Sequence, residues 1–316
     1  MLAVLGVTAP IFILIALGFL SVRGGLIDRG QIRGLGAFVI NFALPALVLR
    51  ALSERSIGEV LDGPYLLAYT LASLAVFAGG LAVARWLRGQ DLSASAILAM
   101  GMSVPNSGFI GYPIVAMVLG PTAALAMALG MLVENLVMIP LALALAEIGQ
   151  QSGVRGRVLA RETALRLLRN PMISAIALGL LLSLLELRLP PLLFRVVDML
   201  ASASAPLALF VIGGTLYGIR PRGMWADVGQ TALGKLVLHP LALLLAFLLV
   251  PDIDPELKVA GLLFASAPMM SIYPILGLRF GLEERCAASL VAATVLAFVT
   301  ISTLIGVLGQ AGYLQT

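Results

Sequence analysis

Apolar runs of about 20 residues, each long enough to cross a hydrocarbon core of about 30 Å, recur from one end of this chain to the other. Backbone groups in lipid need partners inside the spanning structure, so such runs form helices or a closed barrel. Here the runs are continuous rather than alternating, which selects helices. Composition agrees: 60% of the 316 residues are hydrophobic, 11% are charged and mean hydropathy is +1.07, against roughly 25% charged in a soluble domain.

Punctuation by charges, Pro and Gly predicts ten spans, at residues 2–22, 35–52, 64–86, 93–118, 122–148, 170–186, 190–219, 226–250, 256–280 and 284–310. The first has no charged segment before it and no small-residue cleavage site after it, so it reads as a membrane helix and not as a signal peptide. With the N-terminus outside, fourteen arginines fall on the cytoplasmic side: Arg23, Arg29, Arg33, Arg85, Arg88, Arg155, Arg157, Arg161, Arg166, Arg169, Arg220, Arg222, Arg279 and Arg285. Five basic residues stay outside, namely Arg50, Arg55, Arg188, Arg195 and Lys258, and Lys235 lies within a span. That bias orients both termini outward and puts the basic segment 149–169 in the cytoplasm, where its arginines face anionic lipid. The basic sequence pI, near 9.6, is thus a topology signal and not a nucleic-acid footprint.

The chain also resembles itself at an offset of 161 residues. Pro10 and Ile15-Ala16-Leu17-Gly18 return as Pro171 and Ile176-Ala177-Leu178-Gly179, Pro45 as Pro206, Tyr112-Pro113-Ile114 as Tyr273-Pro274-Ile275, and Gly120 as Gly281. Pro105 and Pro268 are 163 apart. Several matches in one order imply duplication, and an odd number of spans per half, five, implies inverted insertion. The expected organisation is a five-helix repeat over 1–148, a basic linker over 149–169 and a second, inverted repeat over 170–316.

Spans 4 and 9 each carry two prolines, Pro105 with Pro113 and Pro268 with Pro274. A proline removes a backbone donor and frees a carbonyl, and unwound backbone at membrane depth persists only where protein or a water-filled cavity satisfies it. Interrupted helices at matching places in two halves point to a transporter binding site made of half-helix ends. With Cys286 the only cysteine and His239 the only histidine, the usual metal and nucleophile constellations are missing. An intramembrane enzyme is therefore not expected, and no cofactor.

The stretch Ser103-Val104-Pro105-Asn106-Ser107-Gly108-Phe109-Ile110-Gly111-Tyr112-Pro113-Ile114 resembles the span 4 crossover of the auxin efflux carrier family. The likeness runs through the whole chain, including Asn41 and Pro45, the Pro268 break, Phe280-Gly281 and Thr294. The resemblance implies an all-α fold of ten transmembrane helices like that of bile-acid sodium symporters. Helices 1, 2, 6 and 7 would form a scaffold, and helices 3–5 and 8–10 a transport domain moving as an elevator around crossed, broken helices 4 and 9. Two departures matter: the loop after span 5 is short and basic, unlike the long regulatory loop of the plant exporters, and Met269-Met270 stands where a polar pair would serve a coordinated ion.

Within this frame Asn106 has an amide able to donate to a substrate carboxylate or to cap the next half-helix. Pro105, Ser107 and Gly108 bring a hydroxyl and bare backbone to the same point, or serve helix packing. Ser266, Pro268 and Tyr273 flank the second break, Tyr112 is the repeat partner of Tyr273, and Asn41 is a scaffold candidate; the tyrosines line a cavity or anchor packing. Glu134 falls mid-span, where an ionised carboxylate costs about 2.5 to 3.5 kcal/mol or more on insertion scales. With Asn135 beside it, it is the candidate proton-coupling group or cation ligand; the alternative is a protonated carboxyl bonded to a neighbouring helix. Lys235 and His239, at i and i+4, can pair with Glu134 or attract an anion; Lys235 can instead snorkel, and His239 suits a buried structural role. Arg50 reads as an interfacial charge.

The expectation is a secondary transporter of a small mono- or dicarboxylate in a bacterial inner membrane, coupled to H⁺ through Glu134, with Na⁺ as the second choice of coupling ion. A channel or substrate sensor on the same fold is the alternative. The lipid bilayer and the organic anion are the expected partners, a homodimer is compatible with the pattern, and nucleic acid is not expected.

Overall fold

The computed structural model describes residues 2–53, 62–150, 165, 169–218 and 224–313. In these residues the chain is helical, and the one extended pairing is an isolated bridge between Pro105 and Met269. We number the helices α1 (Leu2–Arg23), α2 (Arg29–Ser53), α3 (Gly63–Leu87), α4 (Leu92–Ser103), α5 (Ser107–Leu119) and α6 (Thr122–Gly149). They continue as α7 (Pro171–Leu184), α8 (Pro191–Leu216), α9 (Trp225–Leu249), α10 (Pro255–Ser266), α11 (Tyr273–Leu278) and α12 (Glu283–Gln310). Helices α2, α3, α6, α8, α9 and α12 are long and apolar enough to cross a membrane, and α4, α5, α7 and the Ile13–Arg23 part of α1 are shorter apolar helices. The segment 151–164 and Arg166, with the linker residues Arg155, Arg157 and Arg161, lies outside the described residues, as do Arg55, Arg220 and Arg222.

Helix α2 starts six residues before its apolar run. Asp28 caps it: the carboxylate accepts from the Gln31 amide at 2.8 Å, and the Gln31 side chain accepts from the Asp28 amide at 2.8 Å. This reciprocal box satisfies two orphan donors of a helix start, so the polar turn before the run folds as helix.

Among the described residues five helical turns are widened to i→i−5 geometry, at Val39–Ala43, Val83–Leu87, Ser107–Gly111, Glu134–Met138 and Gly234–Leu238. Four of them run directly into Pro45, Pro113, Pro140 or Pro240. A proline inside a helix lacks its N–H and crowds the carbonyl four residues back, and a wide turn ahead of it relieves that crowding without ending the helix. The preceding amides still bond, Ile139 N–H to Glu134 O and His239 N–H to Gly234 O. Of the buried ionisable candidates, Glu134 and Lys235 sit in these turns and His239 directly follows one.

The chain divides into two compact units that interleave along the sequence. The first comprises Met1–Gly63, Gly108–Leu129 and Leu165–Tyr217. Its main packing sets α1 against α8 and α2 against α7 and α8. Gly213 of α8 lies so close to α1 that a Cβ there would stand 2.7 Å from the Ile15 carbonyl carbon, and Gly18 would meet Phe210 in the same way. Small residues let these two helices touch backbone to backbone, the contact that dispersion rewards in lipid.

The second unit comprises Pro64–Ser107, Gly130–Ala164 and Gly218–Thr316. Here α4 packs on the second half of α6 and on α9, and α12 packs on α9, α10 and α11. Asp227, 5% exposed, binds Arg88 at 2.5 Å and Arg285 at 3.4 Å, and buried Glu147 pairs with Arg279. These pairs join α3, α9 and α12 at one place and α6 to the end of α11 at another. Gly120 and Gly281, 161 residues apart, have φ of +59° and +71° where the chain leaves α5 and α11. Glycine enters that region without the steric cost other residues bear.

Candidate functional site

Between α4 and α5, and between α10 and α11, the chain leaves the helix for a few residues, and the two interruptions pair with each other inside the second unit. Asn106 N–H donates to the Pro268 carbonyl at 2.7 Å, next to the antiparallel bridge of Pro105 with Met269. Prolines make both breaks, and each break then supplies what the other lacks, a donor from Asn106 and an acceptor from Pro268. The Asn106 side-chain amide donates to Ser271 Oγ at 2.7 Å. Asn106 and Ser107 are each 3% exposed, so this conformation closes the break from solvent.

Ser107 ties the break to the ionisable group. Its hydroxyl donates to Glu134 Oε1 at 2.5 Å, and Glu134 is 5% exposed. The Tyr69 hydroxyl lies over the same place: a Cβ on Gly130 would be 3.7 Å from it and 3.6 Å from Glu134 Oε1. Asn135 turns away, donating to the Met131 carbonyl at 2.8 Å.

Lys235 is fully buried, which speaks against the alternative that it snorkels to an edge. Its ammonium donates to the Ala265 carbonyl and meets His239 Nδ1 at 2.9 Å. Ala265 lies in the last turn of α10, whose final carbonyls have no helical partner, so a cation there meets both an orphan acceptor and the negative end of the helix dipole. With Lys235 as donor, His239 accepts at Nδ1 and carries its hydrogen on Nε2, 3.0 Å from Ser73 Oγ. The order is Ser73, His239, Lys235, Ala265. Among the described residues no ion pair joins Lys235 to Glu134.

The remaining candidates separate. Ser266 bonds back to Leu262 O at 2.8 Å within its own helix. Tyr273 is fully buried and donates to Ile97 O at 3.1 Å, with its ring against Gly101, so it anchors α11 to α4. Gly108 belongs to the first unit and is buried. Tyr112 and Asn41 also belong to the first unit; Asn41 is exposed and donates to Ala37 O at 2.8 Å. Sequence reasoning missed Ser73, Ser271 and Tyr69. Ser271 is the polar residue left between Pro268 and Tyr273, which is a usable signal; Ser73 and Tyr69 look like ordinary packing residues of an apolar helix.

Residues 3–305 match the family model described as "Membrane transport protein". Over 309 residues, 96% of each chain, the sequence is 31% identical to a Rhizobium meliloti protein named "Putative malonate transporter". It is 27% identical to the "Uncharacterized transporter YfdV" of Escherichia coli over 308 residues, 95% of this chain and 96% of that one, with the same figures for the Shigella flexneri protein of that name.

Proposed function

Because the chain belongs to the membrane transport protein family of auxin efflux carriers, and is thus a membrane transporter and not an enzyme, we propose that it carries a small dicarboxylate together with a proton. The class of anion is supported by the name of the Rhizobium meliloti relative. The observation that carries the reading is the hydrogen bond from Ser107 to Glu134, which links the residue beside Asn106 to a buried carboxylate.

A hydroxyl has one proton to give. While Glu134 is ionised, Ser107 spends that proton on Oε1. Once Glu134 takes up a proton, its own O–H donates to Ser107 Oγ, and the Ser107 hydrogen turns towards the break. A substrate carboxylate then finds two donors, the Ser107 hydroxyl and the Asn106 amide, the latter released from Ser271. Proton and anion therefore bind with mutual assistance, and that linkage is reciprocal. Protonation also removes a charge that is costly at the membrane centre, so the anion crosses more readily with the proton than without it.

Access requires movement, since Asn106 and Ser107 are closed from solvent. We assign that movement to elevator-type alternating access around the paired breaks, in a five-plus-five inverted repeat; the 161-residue offset and the two left-handed glycines support it. The assignment of both termini to the outer side of a bacterial inner membrane follows the arginine bias.

Purified protein in proteoliposomes tests the reading. Malonate uptake should rise when an inward proton gradient is imposed and should persist as exchange without one. Flux that responds only to the malonate gradient would make the protein a channel, and absence of flux under proton, sodium and counter-substrate gradients would reject the transport of this anion.

A further inference from the structure

The first unit contains a cavity of about 680 Å³ that has no part in the paired breaks. Its wall holds Arg50 from the end of α2, Asp198 and Phe194 from α8, and Tyr112 and Ala116 from α5. Arg50 and Asp198 form an ion pair, with side chains 29% and 48% exposed. A second cavity of about 400 Å³ shares Phe194 and adds Arg188 and Ser53. Arg50 with Asp198 thus lines one hollow and Arg188 the other, with the Phe194 ring common to both.

An arginine presents a planar fork of five donors and binds carboxylates two-pronged. Among the described residues Asp198 engages Arg50 only through Nη1, which leaves the other edge of the fork towards the cavity. Tyr112 lines the same space as Arg50, so its hydroxyl can donate to a second carboxylate group. Because Asp198 is half exposed, solvent can take its place at Arg50 cheaply, as it can at most exposed ion pairs. The volume falls within the range of small-molecule sites, about 300 to 1,000 Å³.

We propose that this cavity is a second carboxylate site, in which Arg50 exchanges Asp198 for a small organic dianion that Tyr112 helps to hold. It goes beyond the site at the breaks and rests on the organic-anion reading only for the choice of probe.

The test places a reporter in the wall. Phe194→Trp protein in nanodiscs is titrated with sodium malonate, with sodium chloride at matched ionic strength as control, in an otherwise intact chain and in an Asn106→Ala background. A malonate-specific fluorescence change that survives Asn106→Ala and is weakened about tenfold or more by Arg50→Gln is expected. Asp198→Asn, which removes the competing carboxylate, should tighten malonate several-fold, and it gives a second reading should Arg50→Gln not yield folded protein. A change that vanishes in Asn106→Ala, that is matched by chloride, that ignores both wall substitutions, or that never appears overturns the second site. Proton-driven malonate uptake in the same preparation shows separately whether the reading of the breaks stands.

Discussion

The Ser107 hydroxyl and the Glu134 carboxylate meet at 2.5 Å across 27 residues of sequence, one from the break and the other from a widened turn of α6. In the coupling proposed above both positions are needed: Glu134 supplies the proton site, and Ser107 carries its state to the break.

Glu134→Gln keeps the shape and an acceptor for Ser107 but binds no proton. Proteoliposomes should then retain malonate exchange within a few-fold of the native rate, while the acceleration by an imposed proton gradient disappears, a loss of roughly five- to hundred-fold typical of one coupling term. Undiminished proton-driven uptake by the variant would remove Glu134 from the mechanism.

Asn106→Ala should weaken malonate binding by about ten- to hundred-fold, the equivalent of one hydrogen bond to a charged group at about 1.5 to 3 kcal/mol. The backbone bond of residue 106 to Pro268 survives the change, so the protein should stay folded. Ser271→Ala leaves the amide free of its competitor and should bind malonate at least as tightly as the native chain. Isothermal titration calorimetry on the purified variants decides both.

Lys235→Met should lower thermal stability more than Lys235→Arg, since the orphan carbonyl of Ala265 and the acceptor of His239 both lose their donor. Leaving buried acceptors unmet costs about 1 to 3 kcal/mol each. A thermal-denaturation series in one detergent measures it. If Lys235→Met melts with the native protein but no longer transports, the lysine serves the substrate and not the end of α10.

Gly213→Ala should separate α1 from α8, because its Cβ would strike the Ile15 carbonyl. Overpacking of that kind costs about 1 to 3 kcal/mol. Gly79→Ala is the internal control: nothing lies within 4 Å of its Cβ position, and a helical glycine replaced there should stabilise by about 0.5 to 1 kcal/mol. Paired melting curves should move in opposite directions.

The helices, the two interruptions and Glu134 were legible because each leaves a local mark, an apolar run, a proline pair or a carboxylate among leucines. The start of α2 was not, since residues 29–34 are polar or glycine apart from Ile32, and the Asp28–Gln31 box starts the helix there. The widened turns could have been read from Pro45, Pro113, Pro140 and Pro240. The burial of Lys235 could not: its partners are a carbonyl of α10 and a histidine held by Ser73, and no local pattern announces which helices face each other. Arg50 looked like an edge charge for the same reason. Its significance lies in Asp198 and in the hollow beside them, 148 residues away in sequence.

The bond from Asn106 to the Pro268 carbonyl has a mechanical consequence. The two interrupted helices share a backbone hydrogen bond at the point where each leaves the helix, so opening one gap without the other strains or breaks that bond. Any rearrangement that bares the binding groups must carry both half-turns together or shear a bond that lipid cannot replace. In the alternating access proposed above, such a tie would resist the leak that two independent gates permit.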